Sequence, residues 1–231
     1  EDIPAATQIF TPNWIVKYMV QNTVGRIYLD NNPYADEVKD KMEYLVEKED
    51  GGEILRLDSI EEMKVADLAC GSGHILNEAF DLLYDIYLDE GYGRRQAVEN
   101  IFKKNLLGID LDTRAKQLSM FALLMKACRK DESFLDAEVM PRVYDMPDPY
   151  QENGVDLKDF LAHFFLGGSK KIIEETVDAI KLMDQAKNLG SIMKFELSEK
   201  TRAALEIRVK EWRDEGNLGA DVKGFLKYAD I

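Results

Sequence analysis

The sequence predicts an α/β fold, a mostly parallel sheet with helices on both of its faces. Two short apolar segments, 65–69 and 106–112, have the composition of buried parallel strands. Each is followed by a stretch with apolar residues at helical spacing, 75–90 and 113–130, and another helical stretch precedes the second strand. Because strands that alternate with helices form parallel sheets, we expect this central part of the chain to build the sheet.

Helical segments flank this centre on both sides. Pro12 at the first helical position and Thr11 as the N-cap predict a helix in TPNWIVKYMV. A polar and acidic excursion follows at 31–52, with a helical middle at 38–46. After a weak strand in AEVMPRVYDM, we expect an extended segment SIMKFEL and helices at 157–165, 172–186 and 199–215. The expected division of the chain is into three parts, 1–62, 63–150 and 151–231.

Composition limits the classes of function. The chain has 44 acidic and 30 basic residues and a formal net charge of −14, so its average surface repels nucleic-acid phosphates. Cys70, Cys128, His74 and His163 lack the spacing of metal ligands or of a disulfide framework, and we expect no metal. No apolar run approaches a membrane span, which favours a soluble, cytoplasmic protein. Because the sequence begins at Glu1 without a methionine, we also expect a piece of a longer protein.

A glycine turn, ACGSG, joins the first predicted strand to its helix. Such a turn presents backbone N–H groups to a ligand at the edge where open α/β sheets bind small molecules. The dinucleotide fingerprint needs a third glycine three positions after Gly73, where Leu76 stands, so NAD and FAD do not fit. The Gly-Lys-Ser/Thr of a nucleotide-triphosphate loop occurs nowhere in the chain. The turn therefore predicts a ligand site that is not for the common phosphate cofactors.

Two acidic residues accompany the turn. Asp67 comes just before it, and Asp110 ends the second predicted strand. In a doubly wound sheet these strand ends are neighbours, so a ribose lying across them can donate both hydroxyls to the second carboxylate. Asp67 is placed to accept from a cationic amine. A ligand with an adenosine, a free amino acid and no phosphate is S-adenosylmethionine.

These residues resemble a known family. ADLACGSGHIL and GIDLD are similar to motifs I and II of adenine-specific DNA methyltransferases, and FTPNWIVKYMV resembles the motif X that precedes motif I in their gamma-type order. The three motifs together, in this order, resemble most the large methylase subunits of type I/IIG restriction and BREX-type phage-defence systems. The resemblance implies a Rossmann-like methyltransferase core that depends on S-adenosylmethionine, with a helical N-terminal lead-in and a helical C-terminal section.

The resemblance also implies a set of cofactor-binding residues. Motif X would contact the amino-acid end of the cofactor through Phe10, Thr11 and Pro12. Motif I would line its methionine and sugar through Asp67, Ala69, Cys70, Gly71, Ser72 and Gly73. Asp110 would hold the ribose, Leu111 would flank the adenine, and a region resembling motif III at 184–195 adds Asp184. Each feature also has a plainer interpretation. The glycine turn can be an ordinary tight strand-to-helix connection, Thr11 and Pro12 can be only a helix cap, and Asp184 can be an acid on a helix surface.

One element of the family is missing from this chain. Amino-methylating enzymes carry an Asn/Asp-Pro-Pro-aromatic loop that accepts from the target amine and stacks on the flipped base. NNPYAD at 31–36 has one proline and precedes motif I, and PDPY at 147–150 separates its prolines. We therefore assign no catalytic residue and expect the catalytic loop to lie outside this chain.

The resemblance then implies the S-adenosylmethionine-binding portion of a DNA (adenine-N6) methyltransferase from a restriction-modification or phage-defence system. We expect the chain to be inactive alone, to reach DNA through regions outside it and to work with other subunits of such a complex. Two alternatives stay open. One is a methyltransferase for a protein or a small molecule, and the other is a methylase-derived, non-catalytic module that recognises a partner protein.

Overall fold

The computed structural model describes residues 11–47, 54–146, 156–185, 196–215 and 225–226. The chain divides into two compact units, Glu1–Asp145 and Met146–Ile231, and each is described by itself. The expected three-part division of the sequence stays a prediction.

Three parallel strands form the sheet of the first unit. They are β1 (Val65–Asp67), β2 (Leu106–Asp110) and β3 (Val143–Asp145), in the order β1-β2-β3. A parallel sheet with helices confirms the α/β class. β1 is shorter than the predicted 65–69, because the Asp67 carboxylate accepts a hydrogen bond from the Ala69 N–H (3.2 Å) and turns the chain out of the strand.

The first helix begins one residue later than the sequence predicted. Helix α1 (Asn13–Val20) has Pro12 as its N-cap, and the Pro12 carbonyl accepts from the Ile15 N–H (2.9 Å) and the Val16 N–H (3.2 Å). The assignment of Thr11 as N-cap was therefore wrong by one position. A π-helical turn (Gln21–Gly25) continues α1 into α2 (Arg26–Asn31).

The predicted helix at 38–46 is largely absent, which corrects that expectation. Only α3 (Asp36–Lys39) forms, and turns follow it. The reason is a set of hydrogen bonds from the side chains of the π-helical turn. Gln21 Oε1 accepts from the Tyr44 N–H (2.7 Å), and the Asn22 side chain bonds the Tyr44 carbonyl (2.7 Å) and the Val46 N–H (2.8 Å). These bonds replace those that a helix would make within itself.

Helices α4 (His74–Asp89), α5 (Arg94–Asn100) and α6 (Thr113–Lys130) confirm the helices predicted around the strands. A π-helical turn (Ile101–Asn105) connects α5 to β2. Both α4 and α6 pack on the sheet, and a Cβ added to Gly108 of β2 would lie 2.7 Å from a methyl carbon of Leu76. The close approach of α4 to β2 therefore requires glycine in the strand. The fully buried side chains beneath these helices include Leu76, Phe80, Leu83, Tyr87, Ile101, Phe102 and Leu123.

Asn105 ties the beginning of β2 to the segment before β1. This residue is buried, and its side-chain amide donates to the carbonyls of Ile60 (2.9 Å) and Met63 (2.8 Å). Its oxygen accepts from the Tyr87 hydroxyl (2.8 Å) of α4. A buried amide with all these partners fixes the relative position of the strands and the helix.

The second unit is helical in its described residues. Helices α7 (Leu157–Phe164), α8 (Lys170–Met183) and α9 (Glu199–Glu215) confirm the three helices predicted there, although α8 starts and ends earlier than 172–186. Most of SIMKFEL lies outside the described residues. The core of this unit consists mainly of aliphatic and aromatic side chains, among them Leu161, Phe164, Val177, Ile180 and Phe225.

Candidate functional site

The glycine turn after β1 is held in shape by its own backbone and by β2. Gly71 (φ +51°) and Gly73 (φ +82°) adopt the left-handed conformation that glycine takes without a steric penalty. The Gly73 N–H donates to the Cys70 carbonyl (2.7 Å), and the Cys70 N–H donates to the Ile109 carbonyl of β2 (3.0 Å). The turn therefore forms part of the carboxyl edge of the sheet.

The Asp110 carboxylate connects the end of β2 to this turn. One oxygen accepts from the Gly71 N–H (2.7 Å), and the other accepts from the Asp112 N–H (2.9 Å). The two bonds fix the orientation of the carboxylate, and each oxygen keeps one further lone pair for a donor. The sequence suggested that the N–H groups of the turn face a ligand, but the Gly71 N–H is used by Asp110.

Asp67 lies on the same edge and lacks a cationic partner in the described part of the chain. Burial raises the pKa of its carboxyl group, the hydrogen bond from the Ala69 N–H lowers it, and the negative charge of Asp110 raises it again. The net pKa is raised from the ordinary value for an aspartate. A cationic group bound beside the two carboxylates would favour the ionised form of Asp67.

The two glycines of the turn have different surroundings. A Cβ added to Gly73 would lie 2.3 Å from Ser119 Oγ of α6, so this glycine packs against the helix. A Cβ added to Gly71 meets no atom within 4 Å. The side of the turn at Gly71 is therefore open. Leu111, which follows Asp110 in the chain, is 54% exposed.

The sequence analysis missed a third carboxylate at this edge, Asp145 at the end of β3. Asp145 pairs with Asp110 in the strand register. It accepts from the Thr113 hydroxyl (2.6 Å) and from Lys116 Nζ (2.7 Å). Burial raises the pKa of Asp145, but these two hydrogen bonds and the charge of Lys116 lower it further, to below its ordinary value. The available signal was the same as for Asp67 and Asp110, an acid at the end of a short apolar strand.

Sequence similarity to known proteins indicates what this chain is related to. No family profile matches the chain. The chain is 36% identical over 210 residues to the adenine-specific methyltransferase PglX of Lacticaseibacillus casei, and 45% identical over 168 residues to the adenine-specific methyltransferase BrxX of Escherichia coli. The matches cover 85% and 69% of this chain. The chain is homologous to a segment of adenine-specific methyltransferases.

This homology confirms the resemblance to adenine-specific methyltransferases that the sequence predicted. It extends over only a part of each relative. The chain spans 17% of the length of PglX and 14% of the length of BrxX. The described helices of the chain include none long and apolar enough to cross a membrane. Its described residues also hold no group of three or more histidines, cysteines or acids that could bind a metal ion.

The remaining predicted site residues of the chain lie in different places. Pro12 is exposed and Thr11 half-buried at the beginning of α1, which packs along α4, the helix that follows the glycine turn. Phe10 lies outside the described residues. Asp184 caps the C-terminal end of α8 in the second unit, and most of 184–195 is not described.

Three further predicted residues belong to the turn, beside the two glycines described above. Ala69 is exposed and Ser72 is half-buried, whereas Cys70 is buried. Burial raises the pKa of the Cys70 thiol to about 11, and the charges of Asp110 and Asp67 add to the effect. The thiol is therefore protonated at neutral pH, which agrees with a packing role and not with that of a nucleophile.

Proposed function

We propose that the first unit binds S-adenosylmethionine at the carboxyl edge of its sheet and is a Rossmann-like methyltransferase core. The observation that carries the proposal is the Asp110 carboxylate, oriented by the N–H groups of Gly71 and Asp112, beside a left-handed glycine turn with an open side. An oriented acceptor of this kind binds a ribose without reorganising, which lowers the entropic cost of binding.

The residues of the edge fit this cofactor. Asp110 would accept from the ribose hydroxyls with the lone pairs left free by its two N–H partners. Asp67 would accept a hydrogen bond from the α-ammonium group, whose positive charge would lower the raised pKa of this half-buried acid. The sugar and methionine would lie over the open side of Gly71, with Leu111 against the adenine. Asp67 and Asp110 have no ion pair with a described cation, and a phosphate at this edge would meet uncompensated negative charge.

The proposed function of the whole protein follows from the relatives' names. We propose that this chain is the cofactor-binding portion of a DNA (adenine-N6) methyltransferase of a phage-defence or restriction-modification system. When bound, S-adenosylmethionine supplies the methyl group and a sulfonium leaving group. The residues described here would bind and orient the cofactor, and alignment of the reacting groups is the main source of rate in such a displacement. DNA contact, contact with further subunits and the catalytic loop are proposed for regions outside the chain, so we expect no methyl transfer to DNA by these 231 residues alone.

Calorimetric titration with S-adenosylmethionine tests the cofactor site. The unsubstituted chain should bind, and Asp110→Ala should weaken binding at least about tenfold, since one lost hydrogen bond to a charged acceptor corresponds to roughly 1.5–3 kcal/mol. Asp136→Ala, which removes an exposed acid of the same unit, should leave the affinity unchanged. Titration with S-adenosylhomocysteine, which lacks the sulfonium charge but keeps the α-ammonium group and the ribose, should show how much the sulfonium itself adds to the affinity.

Two results would contradict the proposal. Absence of binding by the unsubstituted chain would favour a non-catalytic module that recognises a partner protein. Equal affinities of the unsubstituted chain and Asp110→Ala would place the ligand elsewhere. If the cofactor binds as expected, an Asn-Pro-Pro-Tyr loop in adjoining coding sequence would favour DNA over a protein or small-molecule substrate.

A further inference from the structure

Helix α6 has an apolar face that the described structure leaves uncovered. Leu118, Phe121 and Met125 are 52%, 59% and 50% exposed. Their spacing of three and four residues places them on one face of the helix. The opposite face already packs into the core of the unit through residues that are fully buried, Ser119, Leu123 and Ala127. The exposed apolar face is therefore additional to the one that α6 needs for folding.

The charge of α6 is opposite to that of the chain. Its sequence, TRAKQLSMFALLMKACRK, contains five basic residues and no acid, whereas the whole chain has a net charge of −14. The three lysines have carboxylate partners within the unit. Lys116 pairs with Asp145 (2.7 Å), and both Lys126 and Lys130 pair with Asp81.

The two arginines of α6 are exposed, and neither forms an ion pair with another described residue. They lie at the two ends of the apolar face. We call the set Arg114, Leu118, Phe121, Met125 and Arg129 the α6 stripe; its spacings of four, three, four and four residues keep it within an arc of about 80° at 3.6 residues per turn. The arginines are 15 positions apart, which corresponds to about 22 Å along the axis.

We propose that the α6 stripe docks an amphipathic helix of a protein partner, with an apolar stripe bracketed by carboxylates about 22 Å apart. Phenylalanine, methionine and arginine are the residue types enriched where protein interfaces bury their centre. The apolar side chains would supply the buried area. The two guanidinium groups would bind the partner's carboxylates at the rim and set its register.

The same charges disfavour a second copy of the chain as the occupant. If two α6 stripes paired in antiparallel fashion, Arg114 would face Arg129 of the other copy, and in a parallel pair each arginine would face its equivalent. Like charges would meet at both ends in either case. DNA is disfavoured as well, because the centre of the stripe is apolar and offers no group that binds a phosphate. Complementary charge therefore favours an acidic helix.

Two synthetic helical peptides test the proposal by fluorescence anisotropy against the full 231-residue chain. The first carries leucines at the spacing of the apolar stripe and a glutamate at each end, 15 positions apart; the second is its twin with lysines in place of the glutamates. The glutamate peptide should bind at least tenfold more tightly than the lysine twin. The double change Arg114→Glu with Arg129→Glu should reverse the order of the two peptides.

Further variants separate the apolar centre from the charges. Phe121→Ser should weaken binding of the glutamate peptide at least tenfold. Lys170→Glu, a charge reversal at an exposed site of the second unit, should leave the affinity for both peptides unchanged. Circular dichroism should be the same for all variants, because every substituted side chain is exposed or half-exposed.

Several outcomes would overturn the proposal. If neither peptide binds, or if both bind equally, the proposal of an acidic partner helix is contradicted. Sedimentation that shows a dimer lost in Phe121→Ser would assign the stripe to a second copy of the chain. Tighter binding of a short DNA duplex, lost in the double arginine variant, would assign it to nucleic acid.

Discussion

Substitution of Gly73 by alanine should destabilise the first unit by two separate effects. The residue has φ +82°, where a Cβ costs roughly 1–2 kcal/mol. The new Cβ would also lie 2.3 Å from Ser119 Oγ, 3.0 Å from Ser119 Cβ and 3.2 Å from its backbone Cα, so a change of rotamer does not relieve the overlap. Overpacking of this kind costs roughly 1–3 kcal/mol. The free energy of unfolding should therefore fall by roughly 2–5 kcal/mol, and Tm by roughly 4–20 °C.

Gly71→Ala is the matched control for this prediction, since Gly71 also has a positive φ but its added Cβ meets no atom within 4 Å. It should lose only the backbone contribution of roughly 1–2 kcal/mol. Both variants can be compared by urea unfolding and by calorimetry, with Ser119→Ala completing a double-mutant cycle. Gly73→Ala combined with Ser119→Ala should recover part of the loss. If Gly73→Ala costs no more than Gly71→Ala, the packing of α6 on the turn is not as described.

Two further predictions concern titratable groups. Glu175 accepts from the Ser198 and Thr201 hydroxyls (2.7 and 2.5 Å), and these bonds lower its pKa to about 2. A depressed pKa stabilises the fold above the ordinary glutamate value and loses that effect as the pH falls toward 2, so Glu175→Gln should flatten the acid-induced loss of stability between about pH 4.5 and pH 2 in urea titrations. Cys70, with its pKa raised to about 11, should react with iodoacetamide at pH 8 more slowly than half-buried Cys128, and faster labelling of Cys70 would contradict its burial.

The regular helices could be predicted from the sequence because their signal is local. The apolar period of 113–130 gave the bounds of α6, and that of 199–215 gave the bounds of α9. The excursion at 38–46 shows the limit of such reasoning. Its helical pattern is real, but side chains of Gln21 and Asn22, more than twenty positions earlier, bind the backbone groups that a helix would need. Partners this distant leave no periodic pattern in the sequence.

The candidate site could be predicted in position and less well in its internal bonding. The sequence identified Asp67, the glycine turn and Asp110, and the parallel register of β1 and β2 brings them to one edge. It did not identify the hydrogen bond between Asp110 and Gly71, because that bond depends on the conformation of the turn. It missed Asp145 because the segment that contains β3 has a weak apolar pattern.

The three carboxylates of the edge differ in how their charge is balanced, and this difference indicates what the edge can bind. The Asp145 carboxylate accepts hydrogen bonds from Thr113 and Lys116, and the positive charge of Lys116 balances its negative charge. In the described part of the chain, Asp67 and Asp110 accept hydrogen bonds only from backbone N–H groups, and the charge of Asp110 helps to raise the pKa of Asp67. The uncompensated negative charge therefore lies next to the open side of Gly71. A ligand with a fixed positive charge and hydroxyl donors gains from both acids, whereas a phosphorylated ligand of the same size is repelled by both. If S-adenosylmethionine is the ligand, its affinity should decline as the pH falls and Asp67 is protonated, and it should do so at a higher pH than for an ordinary aspartate.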